Sequence, residues 1–274
     1  MRQITRQDLE PMLASHPGAA ALRTAVEGAA DPRRLLSVVG RYVQFNSAFG
    51  PGLANLAGEI AARQRLFVDR DEPLRLAADR AADVASDFFY AAVDEFDDRL
   101  TPWRDTHRTL AQATLKAMGA HFGFTPAQLN DVISINAATE GAMKQVWEGY
   151  GVGAALPEDR LFHAMGFHTG SEVLADAEFN VLDAALRARQ PEMVAALQRT
   201  KVGVAGQDHD AWYWVRIHTS VEADHFDAAL KGVNGALRYY AGAEPGDRVA
   251  GWIIDGFHEF GRVQSRFMAG LAEA

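Results

Sequence analysis

The 274-residue sequence contains no cysteine. That absence excludes disulfides, cysteine-ligated zinc or iron–sulfur centres and any cysteine nucleophile, so a metal held by this chain must take nitrogen and oxygen ligands. Positive charge is also in short supply: 27 Lys and Arg stand against 36 Asp and Glu, for a formal net charge of −9. Nucleic acid and anionic membranes are ordinarily met with a basic face, so neither is expected as a partner and a small molecule is. No apolar run reaches transmembrane length. The opening "MRQITRQDLEPML" lacks the basic segment, apolar stretch and cleavage site of a secretory signal, and the cytoplasm is the expected address. Strand-length alternation of apolar and polar residues is scarce as well.

What the sequence does contain is alanine, leucine and other helix formers at three-to-four spacing from end to end, the periodicity of amphipathic helices. The reading is an all-α fold. Helices are expected over about 32–48, 53–69, 72–98, 103–121, 125–149, 168–190, 209–231 and 245–273, with short ones before residue 30 and near 191–200, boundaries good to ~2–4 residues. Turn chemistry separates them: "FGPG" at 49–52, "LTPW" at 100–103, "FGFTP" at 122–126, "VGVAGQ" at 202–207 and "AGAEPGD" at 241–247. Thr125 before Pro126 has the form of an N-cap followed by proline at the first helical position. With 48% hydrophobic and 23% charged residues the chain can bury a substantial core, and no linker or internal repeat divides it. One domain over 1–274 is expected, with about 1–31 as an N-terminal helical extension.

The segment "HTSVEADHFDAAL" sets His218, Glu222 and His225 at relative positions 0, 4 and 7. At about 100° per residue these fall on one helix face, the face that also carries Trp214, Val215, Val221, Ala228 and Ala229. Arg216, Ser220, Asp227 and Lys231 occupy the opposite one. A carboxylate on the buried side is costly unless something compensates it. The pattern recurs. Glu95 closes the apolar stripe of Ala77, Ala81, Val84, Ala85, Phe88, Ala91 and Ala92, whereas Asp79, Asp83, Asp87 and Asp94 lie largely elsewhere. His107 aligns with Leu110, Ala111, Thr114 and Met118; Glu172 shares a face with Ala175, Phe179, Leu182 and Leu186. Four helices thus aim three histidines and three carboxylates at one interior. That set suits two first-row metal ions, iron or manganese rather than copper, with carboxylates bridging and imidazoles capping. The ordinary alternative for each residue is a core histidine bonded to a backbone carbonyl or a glutamate paired with arginine.

These residues resemble the heme-oxygenase-like diiron oxidases and oxygenases, iron-containing redox enzymes with the heme oxygenase fold. That family's pattern is a glutamate ending one core helix, a histidine opening the next, a glutamate on a middle helix, and a late histidine-x3-carboxylate-x2-histidine. "DEFDDRLTPWRDTHRTL" (Glu95, His107), "GSEVLADAEF" (Glu172) and "HTSVEADH" (His218, Glu222, His225) match it, within a similarity spanning about residues 32–270. The resemblance implies a heme-oxygenase-like bundle of about seven core helices plus short N-terminal ones. It implies Glu95, His107, Glu172, His218, Glu222 and His225 as ligands of two Fe(II) ions, with O2 as co-substrate. An external electron donor and a homodimer are both compatible with it. The implied activity is that of an O2-dependent non-heme diiron oxidoreductase oxidising a small nitrogen-containing substrate in specialised metabolism. N-oxygenation is favoured; oxidative C–C cleavage or decarboxylation of an amino acid or fatty acid is the alternative. A reading from another class is a metal-free, cofactor-independent oxidase or small-molecule binding module on the same fold.

Two departures stand out. Glu222 occupies a position that is commonly aspartate, and the interval from Glu172 to His218 is long, leaving room for an insertion around "RARQPEMVAALQRTKVGVAGQDHD". Glu178 faces differently and is the reserve for Glu172, while His168, four residues before Glu172, reads as a capping or surface residue, with a supporting place behind the ligands as its alternative. Neighbouring classes are excluded by the same residues. Ferritin-like diiron proteins need two Glu-x-x-His motifs and only Glu222-x-x-His225 is present; thiaminase-type relatives need a cysteine; and His16 in "ASHPG" sits in a turn-like context unsuited to heme. Asp255, His258 and Glu259 read as a solvated face, the histidines of "HAMGFH" (163–168) are misaligned as ligands, and "GYGVGAAL" (149–156) follows a helix rather than a strand. Phe88, Phe89, Trp147, Phe179 and Trp214 are candidates to line a substrate cavity, with Lys144 and Arg216 as available cations.

Overall fold

The structure, a computed structural model, describes residues 2–98, 100–101 and 103–271, the side chain of Glu222 excepted. Its helices are α1 (Arg6–Ser15), α2 (Gly18–Glu27), α3 (Pro32–Asn46), α4 (Phe49–Ala61), α5 (Ala81–Phe96), α6 (His107–His121), α7 (Pro126–Val132), α8 (Ala137–Gly149), α9 (Glu158–Arg189), α10 (Pro191–Leu197), α11 (Tyr213–Tyr239) and α12 (Gly246–Gly270). The all-α reading holds, with one exception. Between α10 and α11 an antiparallel hairpin pairs β1 (Lys201–Val204) with β2 (Gln207–Asp210). Its two-residue turn puts Ala205 and Gly206 at φ 51° and 84°, the left-handed geometry that suits the twist of a tight hairpin. "VGVAGQ", read as a helix separator, is therefore strand, turn and strand. The long interval before His218 is filled by α10 and this hairpin, both packed on α6.

Other boundaries shift for local reasons. "FGPG" is the first turn of α4 rather than a break, because Pro51 there lacks only an N–H that would have no helical partner. The helix expected from residue 72 begins at Ala81. Residues before it are held in bridges from Val68 to Asp79 and from Phe67 to Tyr240, and Asp79 Oδ1 accepts from Ala81 N at 2.9 Å. Thr125 and Gln128 form a full capping box for α7, yet the expected 125–149 helix stops at Val132. Asn136 caps a new helix, accepting from Thr139 N, and so divides the stretch in two.

At the centre lies α9, a helix of 32 residues whose positions from Leu161 to Glu172 are all buried. A helix covered on every side is a central one. It packs lengthwise against α11 and α12, with α2 and α4 also on it, and one apolar core runs from Ile4 to Leu271. The crossing of α9 with α12 is set by two glycines: a methyl on Gly166 would overlap the Ile253 carbonyl, and one on Gly256 would overlap the His163 carbonyl. Backbone here meets backbone.

At the same crossing His163 Nε2 lies 2.9 Å from Glu259 Oε2, so Glu259 is not on a purely solvated face. His16 Nε2 lies 2.9 Å from the Gly261 carbonyl. Burial holds both imidazoles below their ordinary value of 6.5. The unfolded chain therefore takes up a proton first as pH falls, so the stability these groups contribute is complete above about pH 6.5 and is lost below it. Urea unfolding of the metal-free protein is expected to give a steady midpoint down to about pH 6.5, then a decline of at most ~1.4 kcal/mol per pH unit per group. A midpoint that rises on acidification contradicts this.

Candidate metal centre

Glu95 lies in the last turn of α5, and His107 opens α6 beneath its N-cap Thr106. The connection between them doubles back. Asp98 N donates to the Asp105 carbonyl at 2.8 Å, Leu100 N donates to Asp98 Oδ1 at 2.8 Å, and Arg104 adopts a positive φ of 55°. His107 Nδ1 is thereby brought to 3.1 Å from Glu95 Oε1. His218, reaching in from α11, completes a triad: one ligand atom from each of Glu95, His107 and His218 lies within 4.8 Å of the others. The His218 ring stacks on Phe179 at 4.2 Å and meets the His107 ring at 4.5 Å.

A second group adjoins the first. Glu172 on α9 places Oε2 3.5 Å from His225 Nδ1 and Oε1 3.1 Å from His168 Nδ1. Glu222 lies one turn before His225 on α11, but its side chain is outside the described residues. Between the two groups is a cavity of about 30 Å³, bordered by Glu95, Glu172, Glu178, His218 and His225 and closed by Phe49, Leu53, Phe179 and Phe260. Among its described lining residues none is lysine or arginine. Glu178 therefore does not face away, as its spacing suggested. Ala175 marks the inward direction of α9, and at about 100° per residue Glu172 and Glu178 flank it by roughly 60° on either side. Both glutamates are buried and both reach the same void.

The second nitrogens of His218 and His225 are engaged on the outer side, and that of His107 is directed towards an acidic side chain. His218 Nδ1 lies 2.7 Å from the Trp214 carbonyl, which can only accept, so Nδ1 carries the proton and Nε2 is the bare nitrogen. His225 Nε2 meets Asp94 Oδ2 at 3.0 Å, and His107 Nε2 points to the buried Asp98 Oδ2 at 3.9 Å. Tyr213 donates its hydroxyl to the other oxygen of Asp98 at 3.2 Å. Outer acceptors of this kind fix the tautomer and orientation of metal-bound imidazoles. Burial, reinforced by the neighbouring imidazoles of His107 and His225, holds His218 well below its ordinary pKa, in the neutral form that metals bind. The donor set, its spacing and the neutral His218 fit a metal centre.

His168 is wholly buried rather than at the surface, and burial pushes its pKa down to about 4 against the pull of Glu172. It belongs to a network in which the Tyr150 hydroxyl lies 2.9 Å from Ser171 Oγ and 3.3 Å from His168 Nδ1. A second, larger cavity of about 310 Å³ reaches Glu95, His107 and His218 and is also lined by Asn46, Ser47 and Arg108. Trp214 and Phe96 form part of its wall. Of the other proposed lining residues, Phe179 borders the small void and Phe88 packs near the His168 ring, whereas Phe89 and Trp147 are 49% and 38% exposed and belong to neither cavity. Lys144 pairs with Glu148 on the exposed face of α8, and Arg216 lies over the Tyr213 ring. Among the described residues lining the larger cavity, the cation is Arg108. Sequence reasoning missed it, together with Asp94 and Asp98; the contact of Asp94 with His225 joins residues 131 apart, which no local pattern records.

The chain matches no known family profile and no curated protein. Its fold is similar to that of solved structures including a CADD-like protein of unknown function from Nostoc punctiforme, with a TM-score of 0.65 at 13% identity over 98% of this chain and 95% of that one. At this identity the likeness establishes a shared all-α architecture across nearly the whole chain. No helix among the described residues is long and apolar enough to cross a membrane.

Proposed function

We propose that this chain is an O2-dependent oxidoreductase of the heme-oxygenase-like diiron class, holding two Fe(II) ions and oxidising a small nitrogen-containing substrate, N-oxygenation being favoured. The observation that carries this reading is the void itself: three carboxylates and two imidazoles face about 30 Å³ of space with no lysine or arginine among the described lining residues. Carboxylates gathered in an apolar enclosure repel one another and lose hydration, and bound cations relieve both costs. The metal-free alternative calls for neutralisation of Glu95 and Glu222 by arginine or a proton; among the described residues the side chain that meets the Glu95 carboxylate is the ligand-type His107, at 3.1 Å.

Glu95, His107 and His218 would hold one ion, and Glu172 and His225 the other, with Glu178 beside them and Glu222 assigned from the sequence pattern. Bound there, iron supplies the electrons and open coordination positions that make O2 an oxidant. The chain's own contribution is geometric. Asp94, Asp98 and the Trp214 carbonyl aim the imidazoles, the phenylalanines around the void exclude water, and the larger cavity admits substrate to the side bearing Glu95, His107 and His218. Anaerobic Fe(II) titration is expected to saturate near two ions per chain, and admission of O2 to give a visible absorbance change that His225→Ala removes. Absence of saturable uptake, with the variant indistinguishable from the parent, would make the metal-free reading the better one.

A further inference from the structure

Beside Glu172 lies a buried cluster of Tyr150, His168 and Ser171 to which the proposed centre gives no role. Its geometry fixes where its protons are. Ser171 Oγ donates to the His168 carbonyl at 2.7 Å, because a carbonyl can only accept. The single hydroxyl proton of Ser171 is thereby engaged, so at the 2.9 Å contact with Tyr150 the phenol is the donor. His168 Nδ1 then faces three oxygens that have no proton to offer it: Glu172 Oε1 at 3.1 Å, the Tyr150 hydroxyl at 3.3 Å and Ser171 Oγ at 3.4 Å. Nδ1 must carry a proton of its own, and Glu172 is both the nearest acceptor and the charged one. Nε2 is left bare near the Phe88 ring, in agreement with its having no hydrogen-bond partner among the described residues. Asn55 Nδ2 donates to the Tyr150 carbonyl at 3.1 Å and ties the cluster to α4.

We infer that His168 is a positioning residue for the candidate centre: its Nδ1–H holds Glu172 Oε1, so that Glu172 meets an ion through Oε2 alone. This rests on the functional reading above and deepens it by assigning one oxygen of Glu172 to the protein and the other to the metal. Oε2 is the oxygen beside His225 Nδ1, at 3.5 Å, and both residues border the small void. A hydrogen bond to an ionised carboxylate is stronger than one between neutral groups, so Oε1 is not readily given up and chelation through both oxygens is disfavoured. His168 and Glu172 stand one turn apart on α9, where side chains four residues apart are neighbours. Every position from Leu161 to Glu172 is buried there, so neither partner has water as an alternative. Glu178 is not supported in the same way from within α9, because the residue four before it is Leu174, which offers no donor. The two glutamates at the void are therefore not equivalent.

The test begins on the metal-free full chain, labelled with 15N at histidine, by nuclear magnetic resonance of the ring nitrogens; the His168 signals are those missing from the His168 variants. A protonated Nδ1 and a bare Nε2 are expected, and Tyr150→Phe should leave this tautomer unchanged, because the phenol does not supply the proton. A proton on Nε2 with Nδ1 bare would overturn the inference. The second arm is anaerobic titration with Fe(II). His168→Leu, which removes the donor, should weaken uptake of the ion assigned to Glu172 and His225 about ten- to a hundredfold and leave the other unchanged. His168→Asn, whose amide places an N–H close to the position of Nδ1, should recover most of the parent's affinity. Asparagine fills the space less well than leucine, so that recovery would report the donor rather than packing. Equal losses in both variants, or no loss in either, would contradict the role given to His168. Failure of the parent to take up iron would overturn the functional reading and the role of the bond together, whereas iron uptake by a chain with the opposite tautomer would overturn this inference alone.

Discussion

Gly256→Ala is expected to lower the stability of the fold by about 3 kcal/mol, the upper part of the usual range for overpacking. The added methyl would meet the His163 carbonyl, which is helix backbone and cannot rotate aside like a side chain. Either α12 moves away from α9 along its length or the hydrogen bonds of α9 distort locally. Both routes spoil packing beyond the point of substitution. The control lies five residues earlier on the same helix. A methyl added at Gly251 would meet nothing within 4 Å, so Gly251→Ala should gain the ordinary preference of alanine over glycine in a helix, about 0.5–1 kcal/mol. Urea unfolding of the two variants should therefore give midpoint shifts of opposite sign. Equal shifts would mean that the α9–α12 crossing is not limited by backbone contact.

His218→Ala is expected to abolish stabilisation by metal while leaving a folded protein. A ligand bound only by the folded state adds about 2.7 kcal/mol when its free concentration is a hundred times its dissociation constant. The parent chain should show a gain of that order with Fe(II) under anaerobic conditions. The variant loses the ring that joins the Glu95–His107 group to the small void, and the gain should vanish. Removal of the imidazole also takes away its stacking on Phe179, so the metal-free stability will fall as well. The informative quantity is the difference with and without metal, measured for each protein separately. His121→Ala, at the exposed end of α6, should keep the full metal-dependent gain. If both variants retain it, metal binds elsewhere.

The helical architecture was legible because apolar spacing repeats along almost every segment, and the shared inward face of His218 and His225 was legible because both lie on one helix two turns apart. Features that depend on contacts between distant segments were not. Glu178 looked misdirected when considered against Glu172 alone, but the inward direction of α9 falls between them, at Ala175. His168 resembled a capping residue only because α9 was taken to begin there; with the start at Glu158 the same residue lies deep inside a central helix. The hairpin was hidden by its brevity, since four-residue strands with one buried position in each carry almost no alternation. Arg108 was obscured by its neighbour, because a basic residue beside a candidate ligand reads as ordinary solvated surface until the cavity beside it is known.

The connection between α5 and α6 divides the candidate centre into unequal halves. Glu172, Glu178, His218 and His225 are carried within long helices embedded in the core, where rearrangement of one turn would disturb several neighbouring elements. Glu95 and His107 instead stand at the two ends of a short surface connection. It is braced by the Asp98–Asp105 backbone bond, by Tyr213 and by His209, whose Nδ1 lies 3.3 Å from Asp105 Oδ2. His209 belongs to β2, so the hairpin takes part in that bracing. One wall of the centre is thus built into the body of the molecule, and the opposite wall is hung from it by a brace. The position of Glu95 and His107 therefore depends on contacts made by a hairpin far away in sequence, whereas that of the other four residues depends on the packing of the core itself.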